Sequence, residues 1–335
     1  MNQLKSKLEK LDRLIGNTPL VQIQYQYKGK ENSIYAKVES YNLTGSVKDR
    51  MAYYILKEAI EKEELTVDST IVEATSGNTG ISFCALGAFL NLPVKIYMPD
   101  WMSAERKRMI SSFGAEIIHV SREEGGFLGS ISLSKKYAQE HSNVFLPLQF
   151  ENPNNVEGQY QSLGLEIVEQ FQKLGLKPDG FVAGVGTGGT VMGVGKAIRK
   201  FNPSAKISPL EPLESPVLTE KKHTGKHRIA GISDEFVPPI CDLDSLDDIV
   251  SISDGDSIIA AQNLAKLGLA VGISSGANLL GAIQLQEELG EDAIVCTVFA
   301  DDNKKYLTTD LLKKESMKDK YMTKDLTLIS YQSYR

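Results

Sequence analysis

The sequence predicts an α/β protein built on open, twisted, mostly parallel sheets with helical crossovers. Three observations carry this. Apolar strand-like runs alternate with helical patterns along nearly all of the 335 residues. The runs are apolar on both faces, as strands covered by helices on both sides require. Glycine-rich turns follow several of the runs where a helix begins.

The elements follow in order. "SIYAKVE" (33–39) precedes a helix at 47–62, whose apolar residues are Met51, Tyr54, Ile55, Ala59 and Ile60. "STIVEAT" (69–75) leads to "GISFCALGAFLN" (80–91), and "PVKIYMP" (93–99) to "AERKRMISSFG" (104–114). "AEIIHVS" (115–121) leads to a helix near 127–140, and "VFLPL" (144–148) to one near 155–174. "GFVAGVG" (180–186) leads to 190–200, and "KISPLEP" (206–212) follows. "DIVSIS" (248–253) precedes helices near 256–267 and 275–289, and "AIVCTVFA" (293–300) closes the pattern. So many strands exceed one sheet, and "QFENPNN", rich in turn formers, marks a domain boundary near 150. Residues 213–247 carry prolines and charges without clear period and read as an irregular excursion. Residues after about 312 read as a polar, then aromatic, tail.

Composition excludes several classes. With 41% hydrophobic and 24% charged residues the chain reads as soluble and globular. A net charge of −6 without long runs argues against nucleic acid, which needs a concentrated basic face. The basic stretch Lys221, Lys222, Lys226, His227 and Arg228 reads as a solvated loop. No apolar run approaches the roughly 18 residues of a membrane span, and the charged start "MNQLKSKLEKLDRLIG" does not read as a secretory signal. Cys84, Cys241 and Cys296 lie far apart, as do the four histidines, so no metal site or disulfide framework is expected. Cytoplasm is the expected compartment.

Three glycine turns and one lysine carry the chemistry. "ATSGNTG" (74–80) places short polar side chains and free amides at a helix start, which is either an ordinary capped turn or an anion site. "GVGTGGT" (184–190) is a second such turn, whose amides can cradle a phosphate, with Thr187 and Thr190 adding hydroxyls. Gly184, Gly186 and Gly189 also satisfy G-x-G-x-x-G, with Glu211 about 20 residues on, so a Rossmann-type NAD(P) oxidoreductase is the alternative. "GISSGAN" (272–278) is the third, with Ser274 and Ser275 as caps or ligand contacts. Lys48 follows "GS" at a helix start, where the dipole disfavours a cation by about 0.3–1 kcal/mol and lowers an amine's pKa. Such an amine attacks carbonyls. A phosphate cradle with a carbonyl-reactive lysine suggests pyridoxal 5'-phosphate (PLP). The dinucleotide reading leaves Lys48 and the 74–80 turn unexplained. A catalytically idle binding subunit is a third class, which the presence of Lys48 disfavours.

The chain also resembles the cysteine synthase and cystathionine β-synthase family of PLP enzymes. The likeness runs from "IGNTPLV" (15–21) to "KKYLTT" (304–309). It includes "GSVKDR", "TSGNTG", "MSAERKRMISSFGAE", "LQFENPNN", "GVGTGGT", "EPLESPVL" and "GISSGA". The resemblance implies fold type II, the tryptophan synthase β-like arrangement of two open α/β domains with PLP in the cleft between them. Applied here, residues 45–150 would form a smaller N-terminal domain, 1–44 plus 151–312 a larger C-terminal one, and 313–335 a tail. Lys48 would hold PLP as the internal aldimine and shuttle the Cα proton. Gly186, Thr187, Gly188, Gly189 and Thr190 would bind the phosphate, Ser274 would meet the pyridine nitrogen, and Asn78 the 3′ oxygen. Thr75, Ser76, Asn78, Thr79 and Gln149 would clamp the substrate carboxylate. The implied chemistry is β-replacement or β-elimination through an α-aminoacrylate, at Cβ of L-cysteine or O-acetyl-L-serine, making or releasing sulfide. A homodimer acting on a small amino acid and sulfide or a thiol is implied, with no nucleic acid or membrane partner.

Three stretches depart from the family pattern. "GISDEF" (231–236) stands where small residues are common, with Ser233, Asp234 and Glu235. These are either surface polarity on a loop, or a site where Asp234 acts as general base on water or a thiol entering at Cβ. In the second case the enzyme would consume cysteine, release sulfide and make serine or lanthionine. Gln159 stands where many cysteine synthases have histidine, and "SLGLEI" (162–167) also differs.

Overall fold

A computed structural model of the chain describes residues 2–335 other than Ser76 and His223. Eleven strands are present among these residues. They are β1 (Leu20–Tyr27), β2 (Lys30–Val38), β3 (Thr70–Ala74), β4 (Val94–Pro99), β5 (Glu116–Val120), β6 (Val144–Phe145), β7 (Gly180–Gly184), β8 (Lys206–Pro212), β9 (Val250–Ile252), β10 (Val295–Phe299) and β11 (Leu326–Tyr334). Chain contacts divide the molecule into two compact units: Met1–Gly16 with Asn42–Gly158, and Asn17–Tyr41 with Gln159–Arg335. Each is an α/β unit on its own sheet.

In the first unit the sheet is four-stranded and parallel, in the order β5-β4-β3-β6. Helix Lys48–Glu61 buries Met51, Ala52, Ile55, Leu56, Ala59 and Ile60, a stripe at helical spacing. Helix Asn78–Leu90 is buried nearly all round and is apolar to match, ending on left-handed Asn91. Both helices pack with Ile71, Ile96 and Met98 of the sheet. Val72, Ala74, Tyr97 and Val120 form the other face, covered by Ile131, Leu133 and Tyr137 of helix Gly126–Glu140. Residues 2–16, 42–44 and 151–158, which the sequence reading put with the larger domain, lie with this unit. Leu4, Leu8 and Leu11 join its core, while 17–41 go with the other unit.

In the second unit seven strands run β11-β1-β2-β10-β7-β8-β9. From β2 to β9 all pairs are parallel, and β11-β1-β2 are antiparallel. The nine runs read from the sequence as strands correspond to β2–β10. The reading missed β1, "LVQIQYQY", whose strict alternation suits a half-exposed antiparallel strand. It also missed β11, because the presumed tail after 312 includes an edge strand paired along all of β1. Most of β11 is exposed, so backbone pairing rather than an apolar pattern holds it. Helices Asp254–Lys266 and Ile273–Leu289 supply much of the core beside β7 and β10. Residues 213–247 are irregular apart from Val217–Glu220 and a short turn at Leu243–Ser245. Among the described residues no helix is long and apolar enough to cross a membrane.

Candidate functional site

Lys48 opens helix Lys48–Glu61 directly behind a tight turn. Gly45 has φ +81°, where a Cβ is strained, and its N–H donates to Asn42 O at 2.9 Å. The buried Asn42 side chain also takes Gly16 N at 2.7 Å. Lys48 itself is half-buried, and its backbone N–H reaches Ser46 Oγ at 3.4 Å. The next residue, Asp49, is buried and went unnoticed in the sequence. Its carboxylate accepts from Thr44 N (2.7 Å), Thr44 Oγ1 (2.6 Å) and Ser82 Oγ (2.6 Å). Ser82 belongs to helix Asn78–Leu90, and its hydroxyl also lies 3.0 Å from Asn78 O. One carboxylate thus fastens the lysine's turn to the helix that begins at Asn78. An acid in a first helical turn was the available signal.

The 74–80 turn is built in the same unit. β3 runs out at Ala74, and Thr75 N still pairs with Tyr97 O at 3.1 Å. Thr75 is buried, and its Oγ1 accepts Gly77 N at 3.3 Å. Thr79 Oγ1 donates to Gln149 Oε1 at 2.7 Å, and Gln149 Nε2 donates to Ala74 O at 2.9 Å. Gln149 is delivered by Leu148, a non-glycine residue at φ +53°, and its carbonyl takes Asn155 Nδ2 at 2.8 Å. Thr75, Asn78, Thr79 and Gln149 are therefore brought together. Ser76 lies outside the described residues. Beside this turn stands Arg106, with its guanidinium carbon 3.7 Å from where a Gly77 Cβ would be. The sequence reading did not single it out.

In the second unit, "GVGTGGT" joins β7 to helix Gly189–Phe201. Gly188 has φ +85°, and a Cβ there would lie 2.6 Å from Cys241 Cβ. A Cβ on Gly186 would lie 2.4 Å from Gly231 O, a backbone atom with no rotamer to yield. Thr187 is buried and its Oγ1 accepts Gly189 N at 3.3 Å, while Thr190 is half-buried. A backbone concavity that no side chain fits, at the head of a 13-residue helix, suits a phosphate's oxygens. Ser274 is the second residue of helix Ile273–Leu289 and is buried. Its neighbour Ser275 is structural, with its Oγ accepting Ala300 N at 3.1 Å beyond β10. Gly184 N donates to Asn278 Oδ1 at 2.8 Å, tying the 272–278 turn to the cradle strand.

The rival role of Glu211 fails here. Its carboxylate is fully buried and accepts from Leu218 N (2.7 Å), Thr219 N (3.3 Å), Thr219 Oγ1 (2.6 Å) and Ser251 Oγ (3.3 Å). It caps the 217–220 turn instead of offering an acceptor to a ribose.

The 231–236 loop lies against the cradle. Ser233 is buried at φ +54°, with its N–H on Val185 O at 2.7 Å and its Oγ on Ser215 O at 2.9 Å. His227 Nδ1 accepts Ile229 N at 3.2 Å, which puts its proton on Nε2, 3.2 Å from Ser233 O. Arg228 pairs with Asp254 (2.7 Å), Glu315 (2.6 Å) and Asp310 (3.3 Å). The stretch read as a solvated basic loop is in part a clasp. Asp234 follows Ser233 and is half-buried, and Glu235 is exposed. Gln159 is buried. Among the described residues no group of three or more His, Cys, Asp or Glu could hold a metal ion.

A family model described as "Pyridoxal-phosphate dependent enzyme" matches residues 11–301. Cysteine synthase B of Campylobacter jejuni is 39% identical over 303 residues, covering 90% of this chain and 98% of that protein. The solved hydrogen sulfide-producing enzyme of Fusobacterium nucleatum is 57% identical, with a TM-score of 0.97 and 99% of each chain covered. A further solved form of that enzyme, an Asp-to-Asn mutant in complex with an alpha-aminoacrylate intermediate, has a TM-score of 0.95.

Proposed function

The chain belongs to the pyridoxal-phosphate dependent enzymes, and we propose that it acts at Cβ of L-cysteine or O-acetyl-L-serine, with sulfide released from cysteine as its main direction. When bound, PLP supplies an electron sink for the carbanion left when the Cα proton departs. Lys48 is the residue that carries the cofactor and moves that proton. The amides of Gly186–Thr190 would hold the phosphate, with Asn78 as the partner of the 3′ oxygen and Ser274 of the ring nitrogen. Thr75, Asn78, Thr79 and Gln149 take the substrate carboxylate, as Ser76 does by its place in the motif.

The observation that carries the direction is the seat of Asp234. Ser233, the residue before it, is bonded to Val185, and Gly231 O closes on Gly186. An acid is thereby held at the rim of the phosphate cradle by backbone contacts. There Asp234 accepts the proton of water or a thiol as it adds to Cβ. Cysteine plus water gives serine plus hydrogen sulfide, and two cysteines give lanthionine plus hydrogen sulfide. The likeness to the Fusobacterium enzyme supports this direction. The likeness to cysteine synthase B favours a second reading, synthesis of cysteine from O-acetylserine and sulfide. We place the enzyme in the cytoplasm as a homodimer.

Asp234→Asn, assayed in both directions, tests the proposal. Sulfide release from cysteine falls by about 10²-fold or more, with the cofactor's absorption retained. Release at the wild-type rate removes Asp234 from the mechanism. Borohydride reduction followed by peptide mapping checks that the pyridoxyl group resides on Lys48.

A further inference from the structure

Glu73 is a buried acid that the chemistry above does not use. It is the penultimate residue of β3, 4% exposed, one residue before the turn that begins at Ala74. Its Oε1 accepts Ala74 N at 2.9 Å and its Oε2 accepts Gln149 N at 3.2 Å. It therefore holds by their backbones the turn and the residue whose side chains meet at Thr79. No cation pairs with it among the described hydrogen bonds and ion pairs. Burial pushes its carboxyl from the ordinary range up to about 8.

Glu73 shares a sheet face with Ile71 and stands in register with Ile96, both in the core under helix Asn78–Leu90. That helix carries no Asp, Glu, Lys, Arg or His, and its one titratable group, Cys84, is pushed up by burial. Helix Lys48–Glu61, on the same face, brings half-buried Lys48 and buried Asp49 and Arg50 in its first turn, with the Asp49 carboxylate bonded to Thr44 and Ser82, and helix Ala104–Ser112 brings Arg106 beside Gly77. Lys95 and Tyr97 of β4 project to the opposite face, where helix Gly126–Glu140 brings Lys135, Lys136, Tyr137 and Glu140. Glu151, ion-paired to Lys135 at 2.5 Å, adds a further negative charge nearby.

We propose that Glu73 is a positioning residue that couples a proton to substrate capture: it holds Ala74 and Gln149 in place, and the turn takes a carboxylate best while Glu73 is neutral. This rests on the reading that Thr75, Asn78, Thr79 and Gln149 bind the substrate carboxylate. A second negative charge on that turn would face an ionised, buried Glu73, and like charges disfavour one another. By reciprocity, bound carboxylate favours the protonated acid, and the protonated acid favours bound carboxylate.

The test uses the PLP-loaded enzyme and L-alanine, which has the substrate's amino and carboxylate groups but no leaving group at Cβ. Binding is followed by cofactor absorption from about pH 6.5 to about pH 9.5 in wild type, Glu73→Gln and Gln149→Ala. In wild type the Kd climbs above about pH 8 more steeply than in Glu73→Gln, by up to about tenfold per pH unit. Superimposed profiles, with Gln149→Ala still weakening L-alanine, overturn the role of Glu73 alone. Unchanged binding in Gln149→Ala overturns the carboxylate reading beneath it. If Glu73→Gln does not accumulate as folded protein, calorimetry of wild type at about pH 8, in two buffers of different ionisation enthalpy, decides. Net proton uptake on binding L-alanine supports the coupling, and none overturns it.

Discussion

The chain contains two strand–turn–helix turns of similar composition, and they are built on opposite principles. The 184–190 turn is backbone. Gly186 and Gly188 have no room for a Cβ, and the turn runs into the start of helix Gly189–Phe201. The 74–80 turn is side chain. Thr75 and Thr79 are buried, Gln149 is brought in from another segment, and Glu73 holds it from beneath. The lesson concerns ligand charge and lifetime. On the proposed reading, a phosphate that stays bound would be served by fixed dipoles that need no rearrangement. A carboxylate that comes and goes would be served, on the same reading, by buried hydroxyls and an amide held by a neighbouring acid.

The contrast can be broken at graded cost. Gly186→Ala has the largest effect, because its methyl meets Gly231 O at 2.4 Å and backbone must move. Cofactor affinity drops by at least about 10²-fold, on the scale of a phosphate site losing its donors, as titration of the unloaded protein with PLP would show. Gly188→Ala follows, with about 1–2 kcal/mol of left-handed strain added to a 2.6 Å contact with Cys241.

On the other turn, Gln149→Ala leaves PLP binding intact and raises KM for cysteine about tenfold or more, a loss of one or two hydrogen bonds to a charged group. If PLP binding fell instead, the two turns would not be separate in role. Thr79→Val removes the hydroxyl that bonds Gln149 and costs about 0.5–1.5 kcal/mol, divided between stability and KM.

Glu73 also gives the protein a pH slope in stability. Glu73 is raised from 4.5 to about 8 in the folded state, so the native protein binds more protons than the unfolded chain across that interval. The stability contributed by the neutral acid is therefore present at low pH and lost as pH rises through about 8, by at most about 1.4 kcal/mol per pH unit. Urea midpoints of wild type between about pH 5 and about pH 8.5 fall relative to those of Glu73→Gln. Parallel midpoints would show that Glu73 ionises as freely folded as unfolded.

Much was legible along the chain because period and turn chemistry are local. The nine apolar runs, the helix starts read near 47, 80 and 190, each within two residues of its place, and the glycines of 184–190 all announce themselves within a few residues. What escaped was held by distant partners. β11 shows little apolar pattern, since its pairing with β1 across some three hundred residues is made by backbone. His227 and Arg228 read as solvated charge until Ser233, Asp254 and Glu315 stood beside them. Asp49 and Glu73 are ordinary acids in one dimension, and only burial shows what they hold.

By itself, the order of residues determined nine of the strands and the helices between them, the glycine-rich turns, and which amine opens a helix. Hydrophobic period and backbone sterics act over a few residues, so they can be read there. Tertiary structure alone decided that Glu211 is consumed as a cap, that Ser275 braces while Ser274 sits at the helix head, and that Glu73 lies buried with Gln149 N on its carboxylate. A carboxylate's role depends on its solvent and its partners, and both are set only when segments far apart in sequence meet.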